Sequence, residues 1–294
     1  MKTLKDIGEH NAIAALTANL KAVGDDCAVL PLDDIYDLVL TSDPLIRNVH
    51  FTAEATPEQI GHKAVCRVLS DFAAMGAEPQ YLLVNVVAPP EQDFQTLEKI
   101  YAEFSNLWKT YGAEVVGGDL AQGPTLELHV FGVGRVPKGT ALLRSGAKPG
   151  DRIYVTGPLG GSQASGKHLS FEPRLEWAKA LRESGLVTSM MDISDGLATD
   201  LRHILKASGV GSMLDGSLIP CNGTLEQALY DGEDFELLFT APPDAEFPMF
   251  PTFGKAKQAA TQLLPSIGKI TDRPEELLLD GAPLAGKAFE HFRG

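Results

Sequence analysis

Short apolar runs alternate with amphipathic helical patterns along most of this chain, and this alternation is the strongest restriction on its fold. Tyr36–Thr41 (YDLVLT) reads as a strand expected to stop at Ser42-Asp43. From Pro57 to Met75, the residues Ile60, Ala64, Val68, Phe72 and Met75 repeat on one helical face; Pro57 suits a first turn and Gly76 a stop. Strand Tyr81–Val87 follows, and then a helix carrying Phe94, Leu97, Tyr101, Phe104, Leu107, Trp108 and Tyr111 that ends near Gly112. Glu114–Val116 is expected to be a short strand running into Gly117-Gly118-Asp119, and Thr125–Val136 a half-buried one. Pro137–Gly150, rich in Gly, Pro and Lys, reads as a crossing between two domains of similar size, 1–140 and 141–294. Beyond it the pattern resumes with strand Arg152–Thr156, helix Pro173–Glu183, strand Val187–Met191, helix Leu197–Ala207 and strand Phe235–Thr240. The proline-rich stretch Ala241–Pro251 is expected to be irregular. The fold class is therefore α/β or α+β in two parts.

Composition narrows the function. The 294 residues include 25 Lys+Arg and 39 Asp+Glu, a net charge of −14 that disfavours non-specific binding to nucleic acid or anionic lipid. Cys27, Cys66 and Cys221 are scattered, without CxxC spacing, so neither a disulfide framework nor a zinc site is expected. The N-terminal stretch lacks a signal-peptide pattern, and nowhere do 18 apolar residues run together, so a cytoplasmic protein is expected.

The position of the acids is the chemical signal. Asp25-Asp26 follow Gly24; Asp43 ends a strand; Asp71 lies in a helix; Asp119 follows two glycines. Asp192 and Asp195 bracket Ile193-Ser194, and Asp231, Glu233 and Asp234 surround Gly232. Strand ends in α/β layers face a common crevice, and gathering these carboxylates without cations would cost several kcal/mol (about 4 per close pair at an effective ε of roughly 20). Hard divalent cations such as Mg²⁺, which prefer oxygen ligands and phosphate oxygens, would offset that repulsion. Ordinary readings stand beside this one: Gly-Asp turns, an exposed Lys63–Arg67–Asp71 ladder at i,i+4, and Asp192 as a helix cap. Gly161–Lys167 (GSQASGK) has the GxxxxGK outline of a phosphate-binding loop. His168, however, stands where that loop needs Ser or Thr, and Pro173 comes too soon for its helix.

Seven segments in order, GDDCAVL (24–30), TSDPLIRNVHF (41–51), LSDFAAMGAEP (69–79), GGDLAQGP (117–124), RSGAKPGD (144–151), DISDGLATDL (192–201) and GEDFEL (232–237), resemble thiamine-monophosphate kinase, within the aminoimidazole ribonucleotide synthetase-like superfamily. The resemblance implies a two-domain fold with an N-terminal α/β domain, whose sheet pairs across a homodimer, and a C-terminal α+β domain. It also implies Mg²⁺-dependent transfer of phosphate from ATP to thiamine monophosphate. Carried over by position, the implied metal ligands are Asp26, Thr41, Ser42, Asp43, Asp71, Asp119, Asp192 and Asp195. The implied ATP contacts are Tyr101, Gly118, Asp119, Arg144 and Ser194, and the implied substrate contacts His50, Glu233 and Phe289. Read without the resemblance, Arg144 is equally a linker salt bridge, Tyr101 a core residue, His50 a surface residue, Glu233 a turn acid and Phe289 an anchor for the tail. Pro44 departs from the family pattern, in which an aliphatic residue or Thr is usual. Another ATP-using member of the superfamily, such as aminoimidazole ribonucleotide synthetase, or a non-catalytic nucleotide-binding relative, is the competing expectation.

Overall fold

The structure, a computed structural model, describes residues 2–20, 22–247, 250–251, 260–261 and 265–284. Two short helices, α1 (Leu4–Ile7) and α2 (Glu9–Thr17), lead into the first sheet. That sheet and its helices comprise β1 (Ala28–Pro31), β2 (Tyr36–Ile46), α3 (Pro57–Ala74), β3 (Glu78–Ala88), α4 (Phe94–Tyr111), β4 (Glu114–Gln122) and β5 (Glu127–Pro137). The strand order is β1-β2-β5-β3-β4, and every pairing is antiparallel except β3 with β4, which the crossover helix α4 joins.

The local signals act as the sequence suggests at the helix ends. Thr56 and Gln59 form a capping box ahead of Pro57, Asp93 caps α4, and Gly112 closes α4 in the left-handed region at φ 77°. Strand β2 does not stop at Ser42-Asp43. It continues through Pro44 to Ile46, in register with β5 as far as Glu127. β1 pairs only with Asp37–Leu40, so the far half of β2 has one side with no partner strand, where proline's missing N–H is tolerated. β4 likewise runs on from Val116 through the two glycines to Gln122.

Alternation sends Val39, Thr41, Asp43 and Leu45 of β2 toward α3, which lies across the sheet. The helix sits close because Gly132 and Gly134 of β5 present no side chain: a Cβ at Gly132 would stand 2.6 Å from Val68 and Phe72. Val68, Leu69, Phe72, Leu82, Val84, Leu128 and Val130 fill the resulting core.

The second part contains β6 (Arg152–Val155), α5 (Ser162–Ser165), α6 (Leu175–Ser184), β7 (Ser189–Asp192), α7 (Leu197–Ser208), β8 (Gly211–Leu214) and α8 (Leu225–Tyr230). It continues with β9 (Leu237–Ala241), β10 (Phe250–Pro251), β11 (Ala260–Thr261), β12 (Gly268–Thr271), β13 (Leu277–Leu279) and β14 (Ala282–Pro283). Seven of these strands form a mixed sheet in the order β14-β13-β8-β12-β6-β9-β7, while β10 and β11 pair separately. Thus part of the stretch read as irregular is strand. Helix α3 joins the two parts: one face packs the first core, while Ala73 packs with Trp177, Leu181 and Phe239 of the second.

Replacing Gly132 with Val should therefore overpack the α3–β5 contact and lower stability by about 1–3 kcal/mol. The denaturation midpoint should fall with an unchanged m-value; an unaltered midpoint would contradict the close approach.

Candidate active site

Four of the sequence-selected acids converge. Asp43 projects from β2 and Asp71 from α3; Asp26 precedes β1, and Asp192 ends β7. Each of Asp26, Asp71 and Asp192 is in the electrostatic range of the other two, directly or through Asp43. Burial, and then the charges of Asp43, Asp192 and Asp26, push the Asp71 carboxyl well above the usual range. Burial, and then Asp26, raise Asp192 to about 7 although Ser70 Oγ donates to its Oδ2 at 2.6 Å. Asp26 is also raised by burial, against the opposing pull of Arg144.

The cations nearby are few and fixed. The Arg144 guanidinium donates to Asp26 Oδ1 at 2.7 Å, and the Arg144 backbone N–H to Asp25 Oδ1 at 2.6 Å. Arg67 reaches back from α3 to Asp43 Oδ1 at 3.2 Å and the Pro44 carbonyl at 2.6 Å. Thr41 Oγ1 donates to Asp71. These contacts overturn the exposed ladder: Lys63, Arg67 and Asp71 do not pair with one another, and Lys63 is wholly buried. The cap reading of Asp192 fails too, since Gly196 is the N-cap of α7 and no side chain caps it. Asp200, which the sequence reading did not single out, serves that turn by accepting the N–H groups of Asp195 and Gly196 at 3.0 and 3.1 Å. Its burial, beside Asp195 and Asp192, raises its carboxyl well above the usual range. Its signal was present as the last acid of DISDGLATDL.

The donor set around this cluster is all oxygen, and Asp26 Oδ2 is buried without a hydrogen-bond partner. Among the described residues no three His, Cys, Asp or Glu side chains form a ready-made metal cage. The unpartnered Asp26 oxygen in an oxygen-rich setting suits a hard divalent cation that takes one or two carboxylates and completes its shell with water and phosphate oxygens. Cys27, buried beside the acids, has its thiol raised by burial and then by Asp71.

Two assigned ligands lie apart. The Ser42 side chain is on the opposite face of β2 from Thr41 and Asp43, and is exposed. Asp119 lies on edge strand β4, opposite Asn85, which pairs with His129 and through it with Pro44. Three strand spacings of about 4.8 Å separate it from β2. There it lines a groove of about 640 Å³ with Tyr101, Gly118 and Trp108. Tyr101 is half exposed, beside Phe104, not core. Gly118 is required: a Cβ would sit 1.8 Å from the Val84 carbonyl oxygen. The residues assigned to ATP thus form two groups, Tyr101, Gly118 and Asp119 in the groove, and Arg144 and Ser194 near the buried acids.

His50 and Glu233 line a second cavity of about 540 Å³, walled by residues 48–55 and 163–169. The Glu233 backbone N–H donates to the Ser194 carbonyl at 2.7 Å, joining this cavity to the Asp192–Asp195 loop. Phe289 lies outside the described residues. The GxxxxGK segment is not a phosphate loop. α5 has only four residues; Lys167 pairs with buried Glu236 at 3.0 Å, and Arg174 grips the same carboxylate through two bonds of 2.7 Å. Asp234 accepts the Gly160 N–H at 2.8 Å and the Ser162 hydroxyl at 2.5 Å, folding the loop onto the Gly232 turn.

Sequence and fold both have known relatives. Residues 24–136 match the family described as AIR synthase related protein, N-terminal domain. The thiamine-monophosphate kinase of Escherichia coli (strain K12) is 36% identical over 92% of this chain and 91% of its own. The solved structure of AaThiL complexed with AMPPCP and TMP superposes with a TM-score of 0.87 at 28% identity, covering 99% of both chains. A hydrogenase maturation protein, HypE in complex with ATP, shares the fold at a TM-score of 0.68 and 21% identity. The chain has the aminoimidazole ribonucleotide synthetase-like fold. It belongs to the thiamine-monophosphate kinase family.

Because burial raises the Asp26, Asp71 and Asp192 carboxyls above their ordinary values, these groups bind protons more tightly in the folded state than in the unfolded chain. Their contribution to stability is complete in acid and is lost as pH rises through the native value, for Asp192 from an ordinary 3.8 through about 7. In chelating buffer the Tm of Asp192→Asn, relative to the wild type, should therefore rise between about pH 5 and pH 8. A constant difference would refute the buried cluster.

Proposed function

We propose that this enzyme transfers the γ-phosphoryl group of ATP directly to the phosphate of thiamine monophosphate, giving thiamine diphosphate, with Mg²⁺ required. The carrying observation is the cluster of buried Asp26, Asp71 and Asp192 with part-exposed Asp43, in which Arg144 pairs with Asp26, together with the cavity of His50 and Glu233. The acceptor needs no general base. A phosphate monoester has its second pKa near 6, so at neutral pH it is already largely a dianion. What opposes reaction is repulsion between that dianion and ATP, so catalysis consists of positioning and charge neutralisation.

Asp26, Thr41, Asp43, Asp71, Asp192 and Asp195 would hold Mg²⁺ in this reading. When bound, Mg²⁺ neutralises phosphate charge and orients the phosphates for in-line transfer. Arg144, already oriented by Asp26, presents a fixed positive fork to ATP phosphate. Arg67 holds Asp43, and Ser70 and Thr41 hold Asp192 and Asp71, so these carboxylates keep their direction before the ligands arrive. The Glu233–Ser194 link sets the acceptor cavity at a fixed position relative to the phosphate-binding loop.

We further propose a homodimer through the open face of the first sheet. Tyr81, Leu83 and Phe131 are exposed there, apolar side chains on a sheet face that no helix covers. The domain boundary is put at residue 140, between the two sheets, and a cytoplasmic setting is inferred from the three free thiols, two of them buried. Among the described residues no helix is long and apolar enough to cross a membrane.

ADP release from Mg·ATP should depend on added thiamine monophosphate; turnover without it, or none with it, would remove the assignment. Asp71→Asn should lower kcat by at least about 100-fold with the Tm retained, since the positioned cation supplies several kcal/mol. Phe131→Arg should shift sedimentation from dimer to monomer. An unchanged dimer would refute pairing through this face.

A further inference from the structure

We infer that Lys63 is a positioning residue for substrate binding, acting through Glu233 and the His50 loop; this rests on the proposed reading of their cavity as the thiamine monophosphate site. Lys63 is 0% exposed, a rare state for lysine unless its ammonium group is fully engaged. Its Nζ pairs with Glu233 Oε1 at 2.6 Å and donates to the His50 carbonyl at 2.6 Å. One ammonium on α3 thus joins two walls of the cavity, the segment after β2 and the Gly232–Phe235 turn.

That turn needs holding. Glu233 and Phe235 both adopt left-handed backbone, at φ 55° and 51°, a conformation that non-glycine residues keep only when their surroundings impose it. Glu233 is secured at its backbone by Ser194 and at its carboxylate by Lys63, while Gln163 Nε2 approaches the second oxygen at 3.4 Å. Burial lowers the Lys63 ammonium from its usual range, and Glu233 opposes that shift. Removing Lys63 frees the carboxylate to rotate into water and releases the His50 carbonyl. Neither change touches Asp26, Asp43, Asp71 or Arg144, whose partners lie elsewhere.

The test compares wild type, K63M, E233Q and K63M/E233Q by steady-state kinetics in both substrates, with thermal melts alongside. K63M should raise KM for thiamine monophosphate by about tenfold or more, with the larger share of the loss in KM and with KM for ATP unmoved. In the E233Q background the same change should add less than about twofold, because its effect passes through the missing carboxylate. Equal factors in both backgrounds, or a lowered Tm and kcat with both KM values unmoved, would overturn the inference. If K63M alone fails to fold, the charge-balanced double variant carries the test. A KM matching that of E233Q supports positioning, whereas one about tenfold higher refutes it. Wild-type enzyme that does not respond to thiamine monophosphate would sink the functional reading itself. A responsive wild type with background-independent K63M losses would sink only the role of Lys63.

Discussion

Mutual repulsion among buried carboxylates is the constraint around which this structure is arranged. Asp26, Asp43, Asp71 and Asp192 are drawn from four separate segments; burial opposes ionisation of Asp26, Asp71 and Asp192, and neighbouring carboxylates add to that at Asp71 and Asp192. Nothing in folding alone rewards such a cluster. It persists because each acid is individually anchored: Asp26 by Arg144, Asp43 by Arg67, Asp71 by Thr41 and Asp192 by Ser70. Stability given up in this way is characteristic of sites prepared for a cation and a polyanion.

Helix α3 makes that arrangement possible. Its glycine-cushioned contact with β5 sets its depth on the first sheet, while Ala73 and Ser70 face the second part. Lys63, Arg67 and Asp71 recur at four-residue spacing on this one helix, yet each turns to a different partner, Glu233, Asp43 and Thr41. The turn at Gly232–Glu236 works similarly. Glu233 faces the cavity, Asp234 binds the Gly160 loop, and Glu236 is enclosed by Arg174, Lys167 and Thr156. Of its three acids only Glu233 reaches the proposed substrate site; the other two hold the loop that walls it.

Much of the fold was legible because the signals are local. Apolar spacing marked α3, α4 and α7, and Thr56, Asp93 and Gly112 mark their ends by capping chemistry. The strands were recognised but cut short at β2 and β4, since Ser42-Asp43 and the Gly117-Gly118 pair read as ends, whereas β2 runs on through Pro44. Whether proline interrupts a strand depends on which neighbour is missing, and that is a property of the sheet. The candidate site was partly legible through the seven ordered segments. The buried state of Lys63 and the service of Asp200 to its turn were not, because both depend on partners distant in sequence or on the burial of a whole element.

By itself the sequence determined the kinds of atoms available, a surplus of carboxylates beside glycines and no thiol or histidine array, and hence chemistry based on oxygen ligands and phosphate. It also determined the order of strands and helices, because periodicity and caps act over a few residues. Only the tertiary structure decided which acids share a site and which do not, bringing Asp26, Asp43, Asp71 and Asp192 together while leaving Asp119 at the sheet edge. The physical reason is that Coulomb and desolvation energies depend on distance through space and on burial, and neither is written in the spacing of residues along a chain.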